Sequence, residues 1–146
     1  GCSPLSLIFT ASTYARHLDI SIIYLTQTFS GHYSIPPVVK QNLEGCIMFR
    51  SPSNRQIEAF SDDLQGTFGE KRSIKAMLED TTREPFHFGF FNYRDLEVYH
   101  NHSKMIWKKF DDNGNYMQDY VRSDKQLNKN LKINKKDETE FDMAED

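Results

Sequence analysis

Cysteine is scarce in this chain of 146 residues, which carries Cys2 and Cys46 alone. Cys46 falls inside an apolar run, where a small buried thiol is the ordinary explanation, and the low count suits a reducing, intracellular setting. Long hydrophobic runs are missing too. The longest, residues 20–25, is interrupted by Ser21 and falls far short of the roughly eighteen residues a membrane-spanning helix needs, so no membrane partner is expected. No basic-then-apolar leader opens the sequence. Nor does charge of one sign dominate: eighteen basic residues face twenty-one acidic ones, for a net charge of −3. That balance excludes a protein that coats DNA over its whole surface and confines any DNA contact to a local patch.

Several catalytic signatures are absent as well. No Gly-x-x-x-x-Gly-Lys-[Ser/Thr] loop occurs, so the chain lacks the backbone N–H groups, the Lys and the hydroxyl that together hold nucleotide phosphates and magnesium. No hydrophobic strand ending in paired acidic residues precedes residue 5, and no Gly-x-Ser-x-Gly elbow is found. His100-Asn101-His102 has no second ligand pair at a spacing that would complete a zinc site. Residues 111–115, Asp-Asp-Asn-Gly-Asn, place glycine fourth where a calcium loop needs it sixth, and turn chemistry accounts for them. No internal repeat is apparent.

What is present suffices for one domain with a real core, followed by a tail: 38% of residues are hydrophobic, among them eleven Phe and seven Tyr. Residues 5–17 read as a helix behind Pro4, whose missing N–H costs nothing in a first turn. Residues 20–25 are nearly all apolar and rich in β-branched side chains, the mark of a central strand buried on both faces. A loop over 29–36 leads through Pro36-Pro37 to a short helix over 38–43, and Gly45 introduces a second short buried strand over 46–49. Ser53-x-x-Gln56 and Thr67-x-x-Glu70 have the form of capping boxes. The helices they open carry Ile57, Phe60 and Leu64, and then Ile74, Met77 and Leu78, on their apolar stripes.

Pro85 forbids further helix, and Phe86, Phe88 and Phe90 alternate with His87, Gly89 and Phe91 in a strand with one strongly aromatic face. Short β-prone pieces follow at 96–99, 105–110 and 116–121, with Asp112-Asn113-Gly114 signalling a hairpin turn. After Arg122 a basic run and then an acidic run hold too little apolar surface to offset the entropy of ordering, which predicts a disordered tail. The expected division is 1–93 as the main α/β unit, 94–122 as a β-rich appendage and 123–146 as the tail.

The most informative stretch is Tyr14 to Gln27, which carries Arg16 and His17 off a helix end, through the 20–25 run and onto Thr26-Gln27. In open α/β sheets ligands are read at the carboxyl ends of strands, so Thr26 and Gln27 are candidate site residues. Gln suits a site because it donates and accepts at once; equally, a Gln there can satisfy local backbone groups. Arg16 has the fixed charge and planar fork that stabilise a phosphoryl group in transfer, and equally can sit solvated against a helix dipole. Asn42 reads as a helix cap, Arg50 as a partner for a carboxylate or a phosphate, and Lys40 and Arg55 as surface cations that could meet a DNA backbone.

The Arg16-His17 pair, the strand ending in Leu25-Thr26-Gln27, the Pro-containing loop, Val38-Val39-Lys40-Gln41-Asn42 and Cys46-Ile47-Met48-Phe49-Arg50 together resemble one family. It is the carboxyl half of the viral genome-packaging ATPases of the FtsK–HerA superfamily, the poxvirus-type motors of large DNA viruses, virophages and Polinton-like elements. The resemblance spans roughly residues 5–93, including Ser51 to Ile57 and Glu84 to Phe91. It implies part of a RecA-like P-loop NTPase domain with parallel central strands. It further implies an ATP-driven motor packaging viral double-stranded DNA into a capsid as a homo-oligomeric ring, in the host cytoplasm or a viral factory, or associated with the virion.

By that resemblance Gln27 would sense the γ-phosphate with Thr26 sharing the site, and Arg16 would act as an arginine finger across the subunit interface. ATP and Mg²⁺ would belong to the complete protein and not bind tightly to this chain. Its partners would be double-stranded DNA, an amino-terminal half that carries the phosphate loop, further copies of itself and capsid proteins. The start at Gly1 instead of Met is what a fragment or split gene product would show. A non-enzymatic DNA- or capsid-binding module derived from such a motor is the alternative.

Overall fold

A computed structural model describes residues 4–17, 19–31 and 34–122. The chain runs α1 (Pro4–Tyr14) into a 3₁₀ turn (Ala15–His17), then α2 (Pro37–Lys40), β1 (Gly45–Phe49), α3 (Asn54–Leu64) and α4 (Lys71–Thr81). β2 (Phe88–Asn92), β3 (Glu97–His100) and β4 (Lys104–Lys108) follow. The mixed α/β class is as expected. The tail expected over 123–146 lies outside the described residues.

The strands form one four-stranded sheet in the order β1-β2-β3-β4, and every neighbouring pair is antiparallel. This corrects the expectation of parallel central strands. A parallel neighbour needs a crossover that carries the chain back to its starting end. Here two helices separate β1 from β2, and the extra reversal between them returns β2 antiparallel. That reversal turns on Gly66 and Gly69, at φ +82° and +99°, with Gly66 N–H bonded to the Gly69 carbonyl at 3.1 Å. Gly69 is doubly constrained, since a Cβ there would lie 2.8 Å from Asp119 Oδ1.

A second correction concerns residues 20–25, which form no strand. A strand buried on both faces requires neighbours for its N–H and C=O groups, and no described strand runs beside this one. Ile23 and Leu25 stand 85% and 94% exposed, while Tyr24 is tied to α1 through its hydroxyl, 2.5 Å from Ser12 Oγ. β1 is likewise not buried on both faces. It is an edge strand whose Cys46 and Met48 pack against the core while Ile47 and Phe49 face solvent.

The core lies between the sheet and helices α3 and α4. Phe91 of β2 is fully buried, with Phe60 of α3 and Phe68 of the connecting turn set edge-to-face against it at 5.2 and 5.4 Å. Leu64, Ile74, Met77 and Leu78 supply the helical side, as their spacing predicts, and Val98 and Trp107 the rest of the sheet side. The polar groups buried here are bonded: Thr81 and Thr82 hydroxyls donate to the Met77 and Leu78 carbonyls, and Ser61 to Ile57.

Neither capping box forms. Ser53 and Glu70 occupy the N-cap positions of α3 and α4 without a side-chain cap bond. Gln56 reaches instead to the loop after Gln27, where its Oε1 accepts from Phe29 N–H at 2.7 Å and Ser30 N–H at 3.2 Å. The Asp112-Asn113-Gly114 turn is present, closed by Asp111 Oδ1 accepting from the N–H groups of Asn113 and Asn115. Its return arm is only a bridge, Phe110 to Tyr116. Beyond it the expected strand over 116–121 gives way to a segment bonded to other elements. Tyr120 N–H donates to Ser73 Oγ at 2.8 Å, its hydroxyl donates to Asp80 at 2.7 Å, and Trp107 Nε1 donates to the Gln118 carbonyl.

Candidate functional site

A cleft of about 630 Å³ opens where the end of β1 meets α3 and α4. Met48, Ile57 and Leu78 give it an apolar floor, and Arg50, Lys75, Arg83 and Arg122 stand around it with Glu58 and Glu79. Most of these charges are engaged. Lys75 pairs with Glu58, Arg122 with Glu79, and Arg83 with Asp80 at 2.7 Å. Lys71 binds both Glu58 at 2.7 Å and Asp62 at 2.5 Å. The hydrogen bonds from Lys71 and Lys75 hold the Glu58 carboxyl down at about 2, and Asp62 and Glu58 push the Lys71 ammonium up. Arg50 differs: it is exposed at the carboxyl end of β1, and none of the described residues bonds it. The arrangement leaves one guanidinium with its donors available to an anion.

A second cleft, about 410 Å³, lies between α1, the 20–25 run and the start of β1, with Ser12, Asp19, Tyr24, Asn42 and Glu44 among its walls. Asn42 Nδ2 donates to the Val38 carbonyl at 2.9 Å, closing the end of α2 as a cap. Glu44 is exposed.

Thr26 and Gln27 lie together in the loop after the 20–25 run, both exposed. Thr26 Oγ1 donates to the Thr28 carbonyl at 2.8 Å and accepts weakly from Thr28 N–H, a small local turn. Phe29 then plugs into the core against Phe60, 4.9 Å between ring centres. Gln27 is therefore presented on a loop pinned just downstream by Phe29 and Gln56, with its amide in solvent. Neither cleft is lined by Thr26 or Gln27. Arg16 has its backbone in the Ala15–His17 turn, where Ile20 N–H bonds the Ala15 carbonyl at 3.1 Å, and its side chain lies outside the described part of the structure.

The remaining sequence candidates have structural partners or none. Lys40 binds Asp63 at 2.5 Å and lies 3.9 Å over the Phe29 ring, so it braces the loop. Arg55 is exposed on α3. His100 Nε2 lies 2.9 Å from His87 Nδ1, whereas His102 meets Phe88 edge-to-face at 4.9 Å. Burial, and after it His87 and Lys104, lower the His100 pKa. Among the described residues no group of three His, Cys, Asp or Glu could hold a metal ion. The Cys46 thiol is pushed up to about 11 by burial, against a smaller opposing pull from Lys40, which marks it as an inert packing group.

Sequence reasoning missed the role of Gln56, read as half of a capping box, and the charged wall around Arg50. The first carried no usable signal, because a glutamine at the third helical position looks the same whether it reaches back or across. The second was partly visible in the cations of α4, but their convergence on β1 depends on the antiparallel return of the sheet. Comparison with protein-family models, with curated proteins and with solved structures finds no match to this chain.

Proposed function

We propose that this chain is part of an ATP-driven motor that packages viral double-stranded DNA into a capsid, contributing sensor and arginine-finger elements. The observation that carries the reading is the sequence run in which Arg16-His17 leads through a largely apolar segment to Thr26-Gln27, with Cys46 to Arg50 following, the pattern that resembles the family. Two features agree with it. The 20–25 run is largely apolar and joins no sheet, and β1 keeps an open edge among the described residues, which suits a RecA-like sheet completed by strands from another polypeptide segment. Gln27 is exposed and held on an anchored loop, as a residue addressing a ligand outside this chain would need to be.

The residues of this chain do not themselves fit ATP and Mg²⁺: no glycine-rich phosphate cradle or paired acidic strand end is among them. Those groups would be held by an amino-terminal half, within a homo-oligomeric ring in the host cytoplasm or viral factory. Gln27 would orient a water through its paired donor and acceptor, with Thr26 beside it, and Arg16 would present a fixed positive charge to the neighbouring subunit. The test extends the reading frame upstream of Gly1. A frame encoding Gly-Lys-Ser or Gly-Lys-Thr in a glycine-rich loop, then an acid-ended strand, supports the motor; a frame without them, together with no turnover when a phosphate-loop partner chain is supplied, sinks it.

The unengaged Arg50 beside an apolar cleft favours a second reading, a DNA- or capsid-binding module derived from such a motor without catalysis of its own. A chain that binds DNA but never restores turnover to a phosphate-loop partner would decide for it.

A further inference from the structure

β1 and β3 end, and β2 and β4 begin, at one end of the sheet, because Phe49 pairs with Phe88, Gly89 with His100 and His100 with Lys104. On the solvent side of that end Phe49 is 57% exposed with its ring 5.3 Å from that of Phe88, and Phe88 in turn meets His102 at 4.9 Å. Two residues before Phe88, Phe86 is 95% exposed at φ +65°. A bulky side chain rarely adopts that backbone, and this ring buries nothing in return. Arg50 directly follows Phe49 at the end of β1 and Lys104 opens β4 two residues after His102; both side chains are exposed and bonded to none of the described residues. Glu84 is the carboxylate of the same turn.

We infer that this end of the sheet binds single-stranded nucleic acid. The exposed rings of Phe49 and Phe86 offer platforms for unpaired bases, and two cations with no bonded partner among the described residues at the same end of the sheet can meet the phosphates between them. A chain of net charge −3 needs such a confined patch. Duplex DNA keeps its bases stacked on one another and would meet the cations alone, so it binds here more weakly. An apolar protein partner would favour the rings but leave Arg50 and Lys104 to be desolvated without a counter-charge. The inference does not rest on the motor reading, since the patch involves neither Gln27 nor Arg16.

The test is fluorescence anisotropy of the full chain with labelled oligothymidylate and with a duplex of the same length. Saturable binding of the oligothymidylate, weaker for the duplex and weakening with salt, is expected. Phe86→Gly should lower affinity about tenfold, one stacked base's worth, with a thermal midpoint equal to or above the parent's because glycine accepts the positive φ. Arg50→Gln with Lys104→Gln should reduce the logarithmic salt slope by about 1.4. Absence of oligothymidylate binding at low salt, equal or tighter duplex binding, or affinity and salt slope untouched by these variants would each overturn the proposal. So would self-association or capture of an apolar peptide through Phe86 without nucleic-acid binding.

Discussion

Gln56 shows how one side chain links the helix layer to the candidate loop. Its carboxamide oxygen takes two backbone N–H groups, those of Phe29 and Ser30, and so fixes where Thr26 and Gln27 stand. Gln56→Ala should cost about 1–3 kcal/mol in a denaturant titration, because two donors lose their acceptor, whereas Gln56→Glu keeps an acceptor and should recover part of it. Equal stability of the alanine variant would show that water replaces the bond. For Cys46, in a Cys2→Ser background, the high thiol pKa predicts slow labelling by a thiol reagent at pH 8, accelerating on unfolding. Fast labelling of the folded chain would mean an open thiol. His100 gives a pH dependence: its pKa is lowered, so the fold favours the neutral ring. Its contribution is present above the unfolded value near 6.5 and is lost as pH falls below it. The unfolding midpoint should therefore drop as pH falls through the unfolded value near 6.5, and His100→Gln should flatten that drop. At this scale the sequence told residue types well and partners poorly, since Gln56 and His87 find theirs across the chain.

Among the elements, β2 carries the clearest lesson. Period-two alternation was legible over Phe88 to Phe91, whereas Phe86 and His87, expected in the same strand, lie in the turn before it, and which face of β2 turns inward was not legible. Gly89 settles it: Thr81 of α4 packs so close that a Cβ would lie 2.8 Å from its hydroxyl, and the inward face is thereby the one bearing Phe91. Phe91→Ala should accordingly cost about 3–5 kcal/mol, against much less for Phe90→Ala on the outer face. Comparable losses from the two would contradict this placement of the core. Helices α3 and α4 were legible to within a few residues because their apolar spacing is strong and each is bounded by turn residues. The 20–25 run misled for a physical reason. Apolar, β-branched composition reports a propensity to pair, and pairing is a property of two segments.

At the scale of the whole molecule, the described residues build a four-stranded antiparallel sheet backed by two helices, with a separate contact between α1 and α2. Parallel topology could not be read from the strand pattern, because the direction of each strand depends on how many times the chain reverses between them. The candidate site was legible as residues but not as an assembly: Thr26 and Gln27 are adjacent and exposed, while Arg50 and its cleft follow from the return of the sheet. Unpaired apolar segments at 20–25 and at the open edge of β1 are what a larger sheet would use. The central claim is that Gln27 serves ATP turnover in such a motor. The most direct measurement is steady-state ATP hydrolysis, alongside ATP binding, by the motor bearing Gln27→Ala. The account predicts that hydrolysis is abolished while ATP binding is nearly unchanged; retained turnover would contradict it.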